Sequence, residues 1–84
     1  SVNQINVLVL DGLNNLKYLD CQDNLISALD VQSLDSLQVL YCSYNILKDF
    51  KVNGLGSLFF LDCSNNYLDS LDISGLVDLD NLKL

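Results

Sequence analysis

The residues in this chain best equipped for chemistry are its three cysteines. Cys21, Cys42 and Cys63 recur at a constant interval of 21 residues, inside the phrases LDCQDN, LYCSYN and LDCSNN. A thiolate can act as a nucleophile, hold a soft metal or pair as a disulfide. Catalysis has no base to call on, because the chain contains no His and so neither a Cys–His nor a Ser–His–Asp set. A metal needs convergent ligands, whereas a constant interval sets thiols in a row. Rungs about 4.8 Å apart would place neighbouring Cα atoms within bridging range, but parallel Cβ atoms stay farther apart than the usual spacing of about 3.8 Å. One distorted bridge is therefore the open alternative, and an odd number of thiols cannot all pair. The role that fits every position is that of a small apolar core residue. A structural ladder of buried, unreactive free thiols at Cys21, Cys42 and Cys63 is expected, with no metal and no cofactor.

The rest of the composition narrows the class. The chain has 84 residues and a net charge of −7. All of its acids are Asp and all of its bases are Lys. Without Arg, and with this acidity, nucleic acid is not an expected partner. Neither is an anionic membrane surface. No wholly apolar run, Val7 to Leu10 included, is long enough to span a bilayer. Half the residues are hydrophobic, which argues against disorder. Glu is absent and Ala nearly so, while Leu, Val, Ile, Tyr and Phe are plentiful. With Asn, Asp, Ser and Gly between them, they read as short strands joined by turns.

The elements that must position the cysteines follow from the interval itself. Leu13, Leu34, Leu55 and Leu76 keep the same step, as do Leu16, Leu37, Leu58 and Leu79, and Leu19, Leu40, Leu61 and Leu82. So do Asn3, Asn24, Asn45 and Asn66. Ile5, Ile26, Leu47 and Leu68 follow, then Leu8, Leu29, Phe50 and Leu71, then Leu10, Val31, Val52 and Ile73. The unit reads L-x-x-L-x-C-x-x-N-x-L-x-x-L-x-V-x-x-L-x-x, without insertion, over all 84 residues. No single unit can bury its own leucines, but stacked units can. In-out-in triplets such as Leu19-Asp20-Cys21 and Leu29-Asp30-Val31 are half-buried strands. They predict one parallel ladder through 18–22, 39–43, 60–64 and 81–84, and a second near 7–10, 28–31, 49–52 and 70–73. Leu13-x-x-Leu16 and its equivalents predict tight turns, each up to one 3₁₀ turn.

The stretch L-x-x-L-x-C-x-x-N-x-L resembles the leucine-rich repeat signature, with Cys where that signature often has Leu. The following Leu29-Asp30-Val31 and Leu71-Asp72-Ile73 resemble the short 21-residue bacterial subclass called IRREKO. The resemblance implies a leucine-rich repeat solenoid, mainly β: a right-handed coil of four repeats with two parallel β-ladders, short turns and no long helix. It also implies a bacterial cell-surface or secreted location. A face of four rungs offers about 400 Å², half of what one partner contributes to a standard interface. Neither end carries a polar cap. The expectation is a single array over 1–84, cut from a longer chain whose remainder would cover both ends.

Asn3, Asn24, Asn45 and Asn66 fall where each turn leaves its first strand and backbone groups lose partners. A buried carboxamide can accept from one N–H and donate to carbonyls there, so a structural Asn ladder is expected.

In leucine-rich repeats the variable outward positions of the first ladder form the binding face. Carried over to this sequence, the columns are Tyr18, Val39, Phe60 and Asn81; Asp20, Tyr41, Asp62 and Lys83; Gln22, Ser43 and Ser64; and Asp23, Tyr44 and Asn65. Three Tyr and one Phe fall on this face, beside acids. They suit a protein or peptide patch carrying Lys or Arg, or a glycan stacked on Tyr. Cross-strand packing of the rings on one another explains them equally well. On the second ladder Val9, Asp30, Lys51 and Asp72 read as solvated surface. Lys51 interrupts the acids, and nothing gathers the six oxygens that calcium usually takes. The expected function is protein binding by a module of a larger protein, not catalysis. A spacer or assembly module without a ligand, and a recognition arm of an enzyme lying elsewhere in the full chain, are the alternatives.

Overall fold

A computed structural model describes residues 15–84. Asn3, Ile5, Leu8, Val9, Leu10 and Leu13, and with them the 7–10 segment, lie outside the described residues. The rest is a stack of β-turns and short strands: β1 (Tyr18–Asp20), β2 (Ala28–Asp30), β3 (Val39–Tyr41), β4 (Asp49–Lys51), β5 (Phe60–Asp62) and β6 (Asn81–Lys83). There is no helix among the described residues. One sheet has the order β1-β3-β5-β6 and the other pairs β2 with β4. Every pairing is parallel and in the register of the repeat: Leu19 opposes Leu40, Leu40 opposes Leu61, and Leu61 opposes Leu82. Leu29 opposes Phe50 on the other side. The chain is thus a parallel β-solenoid, as the alternation of its triplets requires.

The core lies between the two sheets. Ile26, Val31, Leu34, Leu37, Leu40, Leu47, Val52, Leu58 and Leu61 are all fully buried. They occupy the apolar columns of the repeat, so each turn fills the gap above the one before it. Burial of a Leu side chain contributes about 1.5–3 kcal/mol, and the columns repeat this at every rung.

The second ladder is shorter than its sequence implied. Residues 70–73 pair with nothing as a strand. Ile73 is 43% exposed, whereas its equivalents Val31 and Val52 are fully buried. With Ile73 out of the core, apolar burial does not hold this backbone in the ladder. The leucine turns also differ from a 3₁₀ helix. Leu34 N donates to Val31 O at 3.0 Å and Leu37 N to Leu34 O at 3.0 Å. Leu76 N and Leu79 N repeat this pair of bonds at 3.3 and 3.2 Å. The result is two successive β-turns, each closed by one i to i+3 bond.

Asp20, Asp30 and Asp62 cap the strands they end, and Asp72 closes the same turn where no strand forms. Asp20 Oδ1 accepts from Gln22 N, Asp30 Oδ1 from Gln32 N, Asp62 Oδ1 from Ser64 N and Asp72 Oδ1 from Ser74 N. These Asx turns satisfy an N–H that the strand geometry would leave open. Hydrogen bonds from Ser74 hold the Asp72 carboxyl below its ordinary value. A depressed carboxylate favours the fold above the unfolded value and stops doing so as pH falls through the folded one. An NMR pH titration is expected to give Asp72 a midpoint below 3.8, the ordinary carboxylate value.

Successive turns approach closely at Gly54 and Gly75. Both have positive φ, +89° and +76°. A Cβ on Gly75 would stand 2.9 Å from the Gly54 Cα, while one on Gly54 would meet nothing within 4 Å. Urea unfolding is expected to show that Gly75→Ala costs more than Gly54→Ala, which carries only the backbone cost of about 1–2 kcal/mol. Leu40→Ala, in the centre of the core, is expected to cost about 3–5 kcal/mol in the same measurement.

Candidate functional site

Just beyond the first ladder the chain bends inward, and there the asparagines take over. Asn45 Oδ1 accepts from Ile26 N of the preceding turn at 3.1 Å. Its Nδ2 donates to Cys21 O at 3.0 Å, Cys42 O at 3.1 Å and Ser43 O at 3.3 Å. Asn66 repeats the pattern one turn later, with Leu47 N, Cys42 O, Cys63 O and Ser64 O. Asn24 Nδ2 donates to Cys21 O at 2.9 Å and Gln22 O at 3.2 Å. The Cys21 and Cys42 carbonyls thus each accept from two successive asparagines. Asn3 lies outside the described residues. Among those described, no buried side-chain polar atom lacks a hydrogen-bond partner.

Cys21, Cys42 and Cys63 are buried and free. Burial is the main reason their thiols are hard to ionise. It pushes Cys21 and Cys63 up to about 11, with Asp20 and Asp62 adding to the shift. Cys42, deepest in the stack, is raised further. Protonated thiols walled by leucine are poor nucleophiles. No group of His, Cys, Asp or Glu able to hold a metal occurs among the described residues.

The outward face of the first sheet carries a diagonal row of rings. The Tyr18 and Tyr41 centroids are 5.6 Å apart and those of Tyr41 and Phe60 are 5.0 Å apart, both tilted. Lys83 Nζ stands 5.8 Å from the Phe60 centroid and closes the row. The zigzag arises because Tyr18 and Phe60 share a register column with Val39, while Tyr41 shares one with Asp20, Asp62 and Lys83. Such ring pairs contribute about 0.5–1.5 kcal/mol each beyond area burial. Tyr18 remains 54% exposed, and Tyr41, Phe60, Val39, Asp62, Gln22 and Ser64 are half-buried. Partial desolvation raises the Tyr18 hydroxyl above its ordinary value, and Tyr41 and Asp20 add to this. Ser43 departs from the face expected of it. It is only 3% exposed. Its Oγ donates to Gln22 Oε1 at 3.3 Å, so it ties two turns together and offers a partner little surface.

Sequence reasoning missed the backbone of one column. Asp23, Tyr44 and Asn65 all have left-handed φ, of 59°, 56° and 57°. Asp and Asn tolerate this conformation, which signals a turn, but Tyr conceals it. Tyr44 is nevertheless 59% exposed. The exposed apolar column Leu25, Ile46 and Tyr67 also went unread, because alternation identifies buried positions and says little of the residue after a buried Asn. Away from this face, a cavity of about 210 Å³ is lined by Cys63, Asn66, Leu68, Leu71 and Leu84 among others. It lies beside the last described turn.

Asn45→Ala leaves the Ile26 amide without its acceptor and takes one of two asparagine donors from the Cys21 and Cys42 carbonyls, so it is expected to lose about 1–3 kcal/mol in chemical denaturation. The thiols are expected to resist a disulfide reagent at pH 8 and to react fully once urea unfolds the chain. Because the folded thiols bind protons more tightly than unfolded ones, their contribution falls as pH rises from 9 toward about 11. The alkaline decline in Tm is expected to be shallower in Cys63→Ala.

No curated protein and no solved structure matches the chain. A family model described as leucine-rich repeats in two copies matches residues 14–57. That span holds the Cys21 and Cys42 strands, the Asn24–Asn45 part of the ladder and most of the ring row. The match, the constant 21-residue period and the parallel coil agree, and the chain belongs to the leucine-rich repeat family.

Proposed function

We propose that the chain is a protein-binding module of a larger bacterial surface or secreted protein, and that the outward face of β1, β3, β5 and β6 makes the contact. Leucine-rich repeats commonly serve as protein-interaction modules and are typically not enzymes. The bacterial and extracellular parts of the reading rest on the IRREKO-like L-D-V triplets. The observation that carries the binding reading is the ring row itself. Tyr18 at 54% and Tyr44 at 59% exposure accompany the tilted pair Tyr41 and Phe60, with Asp20 and Asp62 beside Tyr41 in its register column. Aromatic anchors at the centre of a patch carry most of the energy in protein contacts, and acids beside them favour Lys or Arg on the partner.

A second reading is favoured by the same rings. Tyr18, Tyr41 and Phe60 pack on one another and so have a structural reason to exist without any ligand. On that reading the repeats are a spacer or assembly module.

Selection of a random peptide display library on the immobilised chain separates the two. The binding reading expects a family of enriched peptides rich in Lys, Arg and aromatics, lost when Tyr41 and Tyr44 are replaced by Ser. Enrichment of nothing, with the double variant merely less stable, would establish the spacer. Competition of the selected peptides by a soluble glycan would shift the partner to carbohydrate.

A further inference from the structure

Tyr44 stands at the point where the first sheet gives way to the descending turn. Its φ of 56° belongs to the left-handed region, which its column neighbours Asp23 and Asn65 occupy at little cost. A bulky aromatic residue there strains the backbone. Its ring is 59% exposed, so packing returns little of that cost. Local stability and solubility both favour Asn or Asp at this position. A costly, exposed aromatic at a strained point is the pattern of a residue whose benefit is realised only in a complex.

Two residues further on, the chain repeats an exposed apolar side chain in every described turn. Leu25, Ile46 and Tyr67 are 48%, 39% and 62% exposed. They project from equivalent points of successive turns, because Ile46 N donates to Ile26 O at 3.1 Å and Tyr67 N to Leu47 O at 3.0 Å. The column is therefore a continuous ridge along the stack, with rungs about 4.8 Å apart. Charge decides what can cover it. Asp23 lies two residues before Leu25 and Asp69 two residues after Tyr67, and the bases between them are Lys48 and Lys51. With a net charge of −7, a second copy of this chain is repelled, whereas a basic segment is attracted.

We infer that Tyr44 and the ridge of Leu25, Ile46 and Tyr67 form a second contact strip, continuous with the strand face, which seats an apolar peptide segment flanked by Lys or Arg. The inference rests on the binding reading of the strand face and adds a site and a partner chemistry to it. The complex wraps over the edge of the sheet instead of lying flat on it. Tyr44 is the anchor shared by both surfaces.

The test uses a labelled synthetic peptide of alternating leucine and lysine, with its leucine–glutamate counterpart as control, and reads affinity by fluorescence anisotropy. Tyr44→Asn suits the left-handed backbone, so it is expected to raise Tm by about 4 °C or more while weakening the leucine–lysine peptide about tenfold. Ile46→Ser, which leaves the strained position untouched, is expected to weaken it as well. Unchanged affinity in both variants, together with loss in Tyr41→Ser, would overturn the strip and leave the strand-face reading standing. Equal binding of the leucine–glutamate peptide, or binding of neither, would overturn the partner chemistry proposed here, and the display selection would then decide the strand face by itself.

Discussion

The buried carboxamide of each repeat is the interaction on which the rest of the solenoid depends. A coil that stacks parallel strands must turn inward after every strand, and each bend takes backbone groups out of the ladder and into an apolar interior. Leaving such a group unpaired costs about 1–3 kcal/mol, and the cost would recur at every turn. Asn45 and its neighbour Ile46 together satisfy both polar groups of Ile26, one through Oδ1 and the other through the backbone N–H. Asn66 and Tyr67 do the same for Leu47. The donors of Asn45 and Asn66 bind carbonyls of their own turn and of the turn below. The side chain therefore sets the distance, direction and register of stacking in one device.

Register fixed in this way explains why the same columns are core throughout. The leucines, the cysteines and the aromatic diagonal keep their places because a slip of one residue would put every apolar side chain on the solvent face. It also explains the chemical silence of the cysteines. They lie directly before the bend, where the carbonyl is needed by two asparagines and the side chain points into leucine. Repetition of a reactive residue type here reflects repetition of a packing site.

The fold was largely legible in the sequence because it is periodic. The Leu19, Leu40, Leu61 and Leu82 column alone implied a parallel stack with that register, and the Asn column implied where the strands would end. What escaped was local or marginal. Residues 70–73 carry the same apolar alternation as the paired strands, but pattern does not report that Ile73 stays exposed and the segment unpaired. Ser43 reads as an outward position, yet its hydroxyl finds Gln22 of the neighbouring turn and the residue is buried. The left-handed column was visible at Asp23 and Asn65, and Tyr44 broke the signal. On the candidate face, sequence identified the aromatics but not their diagonal contact, which depends on the stagger between register columns. The exposed ridge beyond it follows no buried alternation and was invisible to that kind of reading.

Amide hydrogen exchange at Ile26 and Leu47 tests the central claim most directly. If the Asn45 and Asn66 carboxamides hold the turns together, these two N–H groups are protected to the same degree as a ladder amide such as that of Cys42, which donates to Asp62 O at 2.8 Å. Exchange at the rate of an exposed turn amide, in a chain otherwise folded, would mean that the stack is held by apolar burial alone and that the asparagines merely occupy the bends.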